Sequence, residues 1–370
     1  MLIYVLLFSF VTLCIFFNDY RFAIGRYSFL SVNLFQLTVI AVIVLVSFRG
    51  LSVGTDTYPY DLNYKYIVNN NFDFSKSPYS APVYYLINFM LGYITENGAS
   101  MRVFQACVTY YCVYKIVCKN NVNKFLSLCL FIGWSCFACS MNISRQMLSV
   151  LLALYATYLF LCEKRIFFSI IIFAIATLIH ITSIVIIAIP FFAIIYRYMK
   201  ELHCFFLVSI FIALLLNFVY KFVIFFVINY VEHYRAYTTA GVEFNIFEQN
   251  TSGNFFYIYL LFFLLIVIFV LKVKNYYYPP NSFAYSVLPF LTICMVIGLL
   301  NPCNVMIYSF LIPSFVLFSL VFIPRLFNLL SFKEKFVFLP VFLLLTVVFF
   351  MYSLIIKNSG EIVPYTSIFF

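Results

Sequence analysis

The chain has 370 residues, of which 65% are hydrophobic and only 9% charged, and its mean hydropathy is +1.06. A soluble domain carries about 25% charged residues, so this composition excludes a water-soluble globular enzyme and reads as an all-α, polytopic integral membrane protein. An outer-membrane barrel is excluded too, because it would show alternating segments of about ten residues.

The first apolar run, 1–17, lacks the basic start and small-residue cleavage site of a signal peptide, and reads as a retained helix. Its basic flank, Arg21 and Arg26, follows it, which places the N-terminus outside. Further spans are predicted at 29–48, 103–118, 125–142, 147–162, 166–179, 181–196, 203–220, 255–272, 283–300, 304–323 and 336–356, giving about twelve in all. The shorter run from Pro82 to Ile94 reads as a re-entrant or interfacial helix on the outer face. The whole chain, 1–370, is then a single multi-pass membrane domain with two large outer loops, 49–102, which holds the interfacial helix, and 231–254.

Charge supports this topology. The inner loops and adjoining span ends hold 14 of the 22 basic residues and 4 acidic ones, while the outer side holds 7 basic and 8 acidic. The net charge of +10 is therefore a topogenic signal and not a nucleic-acid footprint. The 11 cysteines are odd in number and sit in apolar runs, where cysteine acts as a small hydrophobe. Cys136 and Cys139 have pair spacing but no second pair nearby, no metal-ligand cluster is visible, and no GxxxxGK[ST] loop is present. No metal or other cofactor is implied.

Few charges lie near the outer boundary, where a charge at a helix centre would cost roughly 2.5–3.5 kcal/mol. Arg49 opens the stretch Phe48-Arg49-Gly50-Leu51-Ser52-Val53-Gly54-Thr55-Asp56 directly after an apolar run. It reads either as a site residue or as a snorkelling helix end. Arg145 lies between two spans in Asn142-Ile143-Ser144-Arg145-Gln146, and His180 lies where two short apolar runs meet. Arg235 sits in the second outer loop, as a ligand for anions or a solvated charge, and Asp56 is either a base or a turn cap. Arginine forks bind phosphate bidentately at any working pH. A carboxylate or imidazole accepts a proton from an attacking hydroxyl. Outer-face arginines with an aspartate and a histidine therefore suit a lipid-linked diphosphate and a metal-independent glycosyl transfer.

At these residues the sequence resembles the EpsG-like group of Wzy-type polymerases, which make O-antigen and exopolysaccharide in bacteria. Arg49 with Gly54, Asp56 and Tyr60 resembles the family's R-x(4)-G-x-D-x(3)-Y loop, and Arg145-Gln146 resembles its RQ motif. Ala176 to Ser183, with His180, resembles its A-x(3)-H-x-S/T segment, and Pro364-Tyr365 its terminal PY. Ala81-Pro82 stands where the family often has Glu-Pro, and no arginine appears near Asn304 to Tyr308, which leaves Arg49, Arg145 and Arg235 as the available cations. The resemblance implies a multi-pass enzyme of the bacterial inner membrane whose outer loops, 49–102 and 231–254, are periplasmic. It would transfer a growing glycan from undecaprenyl diphosphate to the terminal sugar of another lipid-linked repeat unit. Arg49, Arg145 and Arg235 would bind diphosphate, His180 or Asp56 would move the proton or place the acceptor, and Gly54, Gln146, Tyr60 and Tyr365 would support them. The partners implied are the undecaprenyl-diphosphate-linked oligosaccharide and membrane lipids, with a chain-length regulator as a further candidate and no nucleic acid. The competing readings are a flippase for the same lipid-linked units and an O-antigen ligase.

Overall fold

A computed structural model describes residues 1–17, 21–23, 31–69, 81–120, 122–198, 206–219, 256–273, 283–301, 305–356, 358 and 361–367. Every one of the twelve predicted spans carries a helix. In chain order these are α1 (Leu2–Leu13), α2 (Leu34–Ser47), α3 (Thr57–Asn69), α4 (Pro82–Gly92), α5 (Ala99–Lys119), α6 (Lys124–Gly133), α7 (Cys136–Asn142), α8 (Ser144–Leu161) and α9 (Ile166–Ile179). They continue with α10 (Ala188–Tyr198), α11 (Phe206–Val219), α12 (Phe256–Val273), α13 (Phe283–Leu300), α14 (Val305–Leu317), α15 (Ile323–Leu329) and α16 (Phe332–Met351). A short antiparallel pair, β1 (Arg21–Ala23) with β2 (Ser31–Asn33), departs from the all-helical expectation; Arg21 faces Asn33 and Ala23 faces Ser31.

The number of helices long enough to cross a bilayer is smaller than the number of apolar segments. Among the described residues four reach spanning length and apolarity: Ser144–Leu161, Phe283–Leu300, Leu311–Leu329 and Phe332–Leu354. The pair α6 and α7 makes a fifth if taken together, but it bends by 62°. Six further apolar helices run 10–17 residues, and a 14-residue helix is only about 21 Å long against a hydrocarbon core of about 30 Å.

Local chemistry explains several boundaries. Asn33 and Gln36 form a capping box at the start of α2, and Ser331 and Glu334 do so for α16. The α6–α7 break falls at Gly133 to Ser135, where Ser135 adopts φ 63°. Pro82 opens α4 at its first turn, where a missing N–H costs nothing.

The chain divides into two compact units, Met1–Ile186 with Ser319–Phe370, and Ile187–Phe318. In the second, α13 packs against α10, α12 and α14. In the first, α8 is central, packed by α5, α7 and α9, with α2 against α5 and α1 against α6. Four-fifths of α8 is buried (78%), whereas the window Phe332–Leu354 is only 28% buried and turns apolar side chains outward, as a lipid-facing helix does. One apolar cluster joins Tyr64 of α3, Tyr84 of α4, Met101 of α5, Leu148 of α8 and Ile179 of α9. It gathers the C-terminal end of α9 and the N-terminal ends of α5 and α8 beneath α3 and α4. The first loop is thus a helical cap on one end of this unit. Its polar helix, α3, went unread in the sequence as part of a connecting loop.

Candidate functional site

The loop that follows α2 is held from both sides. Past the end of α2, the Arg49 backbone forms an antiparallel bridge with Ser367. The Gly50 N–H donates to the Thr366 carbonyl at 2.7 Å, and the Gly54 N–H to the Glu361 carbonyl at 3.1 Å. The Tyr365 hydroxyl donates to the Leu45 carbonyl at 2.9 Å, and the Tyr4 hydroxyl to that of Ile362 at 3.0 Å. Residues 361–367 therefore lie as a strap along the loop. On the other side, Gly54 at φ 90° lets the chain press on the α7–α8 junction, since a Cβ there would sit 3.1 Å from the Asn142 Cα and the Met141 carbonyl. The Asn142 side-chain oxygen then accepts from the Thr55 hydroxyl at 2.7 Å and the Asp56 N–H at 3.0 Å.

This clamp sets Asp56 beside the helix that begins with Ser144 and Arg145. The Arg145 guanidinium lies over two tyrosine rings, 5.9 Å from the centre of Tyr60 and 5.5 Å from that of Tyr84. It makes no hydrogen bond or ion pair with any described residue, and its buried Nε has no acceptor. A cation on aromatic faces keeps its charge and its in-plane donors available. The rings are themselves held. The Tyr60 hydroxyl donates to the Asp56 carboxylate at 3.4 Å, and Tyr84 accepts from Gln105, which in turn accepts from the Ser144 hydroxyl at 2.9 Å.

The electrostatics follow from this placement. Burial pushes the Asp56 carboxyl above its ordinary value, and the hydrogen bonds from Tyr60 and Thr55 and the charge of Arg145 offset part of that rise. His180, at the C-cap of α9 and outside the helix, is pushed down to about 4, first by burial and then by the charge of Arg145. The imidazole is therefore neutral at pH 7. The Thr182 N–H donates to its Nδ1 at 3.4 Å, and the Thr182 hydroxyl lies 2.8 Å from the same atom. Nδ1 is thus the acceptor nitrogen, and Nε2 carries the proton.

A family model matches residues 32–367, which takes in all four motifs that surround this end of the molecule. The chain belongs to the EpsG family. That family is associated with polysaccharide polymerases, and the apolar helices fit a multi-pass membrane protein of polysaccharide biosynthesis. No curated protein and no solved structure matches the chain.

The structure brings the EpsG-family motifs into contact, but it does not treat their arginines alike. Arg145, Asp56, Tyr60 and His180 share one electrostatic neighbourhood. Arg49 is sealed, at 1% exposure, and its guanidinium donates to the Val46 carbonyl at 2.6 Å and the Thr57 hydroxyl at 3.4 Å. Tyr365 lies in the strap, and Gln146 is buried in the first turn of α8. Arg235 and the loop 231–254 lie outside the described residues. Tyr84, Gln105 and Asn142 are contributors that the sequence reading passed over. The one signal for them was polar or hydroxyl-bearing side chains placed in otherwise apolar runs. Among the described residues no group of three His, Cys, Asp or Glu could hold a metal ion.

Proposed function

We propose that this protein is a surface-polysaccharide polymerase of the O-antigen type, acting on the periplasmic face of the bacterial inner membrane. It transfers a growing glycan from undecaprenyl diphosphate to the terminal sugar of a second lipid-linked repeat unit. The observation that carries the reading is the Arg145 guanidinium, seated on Tyr60 and Tyr84 with no protein acceptor among the described residues, beside Asp56 and neutral His180.

In this reaction an acceptor hydroxyl oxygen bonds to the anomeric carbon as the bond from that carbon to the diphosphate oxygen breaks. Charge develops on the leaving diphosphate, and Arg145 stabilises it with in-plane donors that no side chain competes for. Asp56 takes the hydroxyl proton, and its raised pKa brings it closer to the working pH of a general base. His180, protonated on Nε2, donates a hydrogen bond to the acceptor sugar or to a phosphate oxygen. Arg49, expected as a phosphate clamp, is assigned instead to fixing the loop that carries Asp56, because its donors face the Val46 carbonyl and Thr57. Arg235 is the second cation offered to the diphosphate.

The test is complementation of a deletion strain, read as the ladder of surface glycan on a gel. Wild type restores the ladder, and Arg145→Ala at equal protein level leaves single repeat units on the lipid core. A normal ladder with Arg145→Ala removes that residue from the mechanism. In the deletion strain itself, unligated polymer would indicate a ligase, and absent units a flippase.

A further inference from the structure

Close to this site lies a second group of cations that glycosyl transfer does not use. Arg49 and Arg102 line a cavity of about 10 Å³ together with Thr57, Tyr60, Asp61 and Gln105, with room for one water-sized occupant. Both arginines are buried, at 1% and 6% exposure. One carboxylate is available to them. Asp61 Oδ1 pairs with Arg102 Nη1 at 3.0 Å, and its other oxygen is taken by Lys65 at 3.0 Å. No described carboxylate lies within ion-pair distance of Arg49, and the Nε of Arg102 is buried without an acceptor. Burial and the charge of Arg102 together push Arg49 down to about 10. Two buried positive charges therefore share a small space with one carboxylate that is already engaged on both oxygens. A buried charge needs a counter-charge, and a guanidinium this basic does not shed its proton near neutrality.

We propose that this cavity holds one monatomic anion of the chloride or bromide class between Arg49 and Arg102. A space of this size suits one small ion, and its lining includes Arg49 and Arg102 but not Arg145, so the site is distinct from the one at Arg145. The ion neutralises the excess charge and ties the end of α2 to α5. It thereby fixes the root of the first loop. This inference does not depend on the polymerase reading, since its readout is binding and stability.

The test uses the full chain in lipid nanodiscs, unfolded by heat at constant ionic strength in chloride, bromide or gluconate. Chloride and bromide should raise Tm by about 2 °C or more over gluconate, and the rise should saturate with halide concentration. Arg49→Gln should abolish that difference, and Arg145→Ala should keep it. Because Arg49→Gln also removes packing, wild-type crystals grown in bromide give an independent reading. An anomalous peak between the two guanidinium groups supports the site. The same Tm in all three salts, or a cavity that holds only water in bromide, overturns it.

Discussion

Arg49 and Arg145 both follow an apolar segment closely, and in the sequence they look equivalent. In the fold they are opposites. Arg49 is closed under a strap, with its guanidinium given to a carbonyl and a hydroxyl of its own neighbourhood. Arg145 rests on two aromatic faces, is partly exposed, and has no acceptor among the described residues. The lesson is that a charge near a membrane boundary is informative only once its donors are counted. Arg49, buried and tied to protein acceptors through Nε and Nη1, holds structure, and Arg145, with no protein acceptor among the described residues, is left for a substrate group.

The sharpest way to break this contrast is Arg145→Ala. It should lower polymerisation by about 10²–10³-fold, the usual effect of losing one preorganised donor to a developing oxyanion, while Tm stays close to wild type. Arg49→Ala should behave in the opposite sense and cost about 2–4 kcal/mol of stability, measured by thermal unfolding, through the void and the polar groups left behind. Equal stability losses in the two variants would collapse the comparison. Gly54→Ala should cost about 1–2 kcal/mol, because a side chain at φ 90° is strained and meets the Asn142 backbone. Its activity should fall with the loop's stability.

Tyr60→Leu and Tyr84→Leu sharpen the contrast from the other side. Each should lower turnover by about 2–30-fold, matching about 0.5–2 kcal/mol of cation–π attraction. Phenylalanine at position 84 should come close to wild type if the ring is what matters. The smallest effect concerns His180. Its folded pKa of about 4 lies below the ordinary 6.5, so acid protonates the unfolded chain first. The stability it contributes is full above pH 6.5 and declines as pH falls toward 4. At pH 6 the loss should be about 1 kcal/mol, and His180→Phe should flatten this part of the pH–Tm curve.

Much of the helical layout was legible in the sequence because apolar periodicity is local. The segments 166–179 and 283–300 coincide with α9 and α13. What was not legible depended on distance along the chain. Tyr84 and Gln105 reach Arg145 and its neighbour from separate helices, and the strap meets Arg49 only through folding. The helix α3 was missed for a different reason. Its residues Thr57 to Asn69 are polar and tyrosine-rich, so hydropathy gave no span, yet Asp61 pairing with Arg102 and Tyr64 packing in the shared cluster make it a fixed part of the cap. Twelve crossings remain the sequence's expectation, because a short apolar helix identifies itself by composition and a crossing by length.

The strap has a consequence for how the protein is made. Ser52 and Thr366 touch at 2.8 Å but are 314 positions apart. At ribosomal speeds of about 5–20 residues per second, the loop emerges roughly 15–60 s before its partner. During that interval the first loop exists without the segment that closes over Arg49. A chain halted in the second half of synthesis would insert its early helices and still lack an assembled site. Closure of the loop is therefore a late event, and an intact clamp around residue 49 reports that residues 361–367 have reached the same end of the unit.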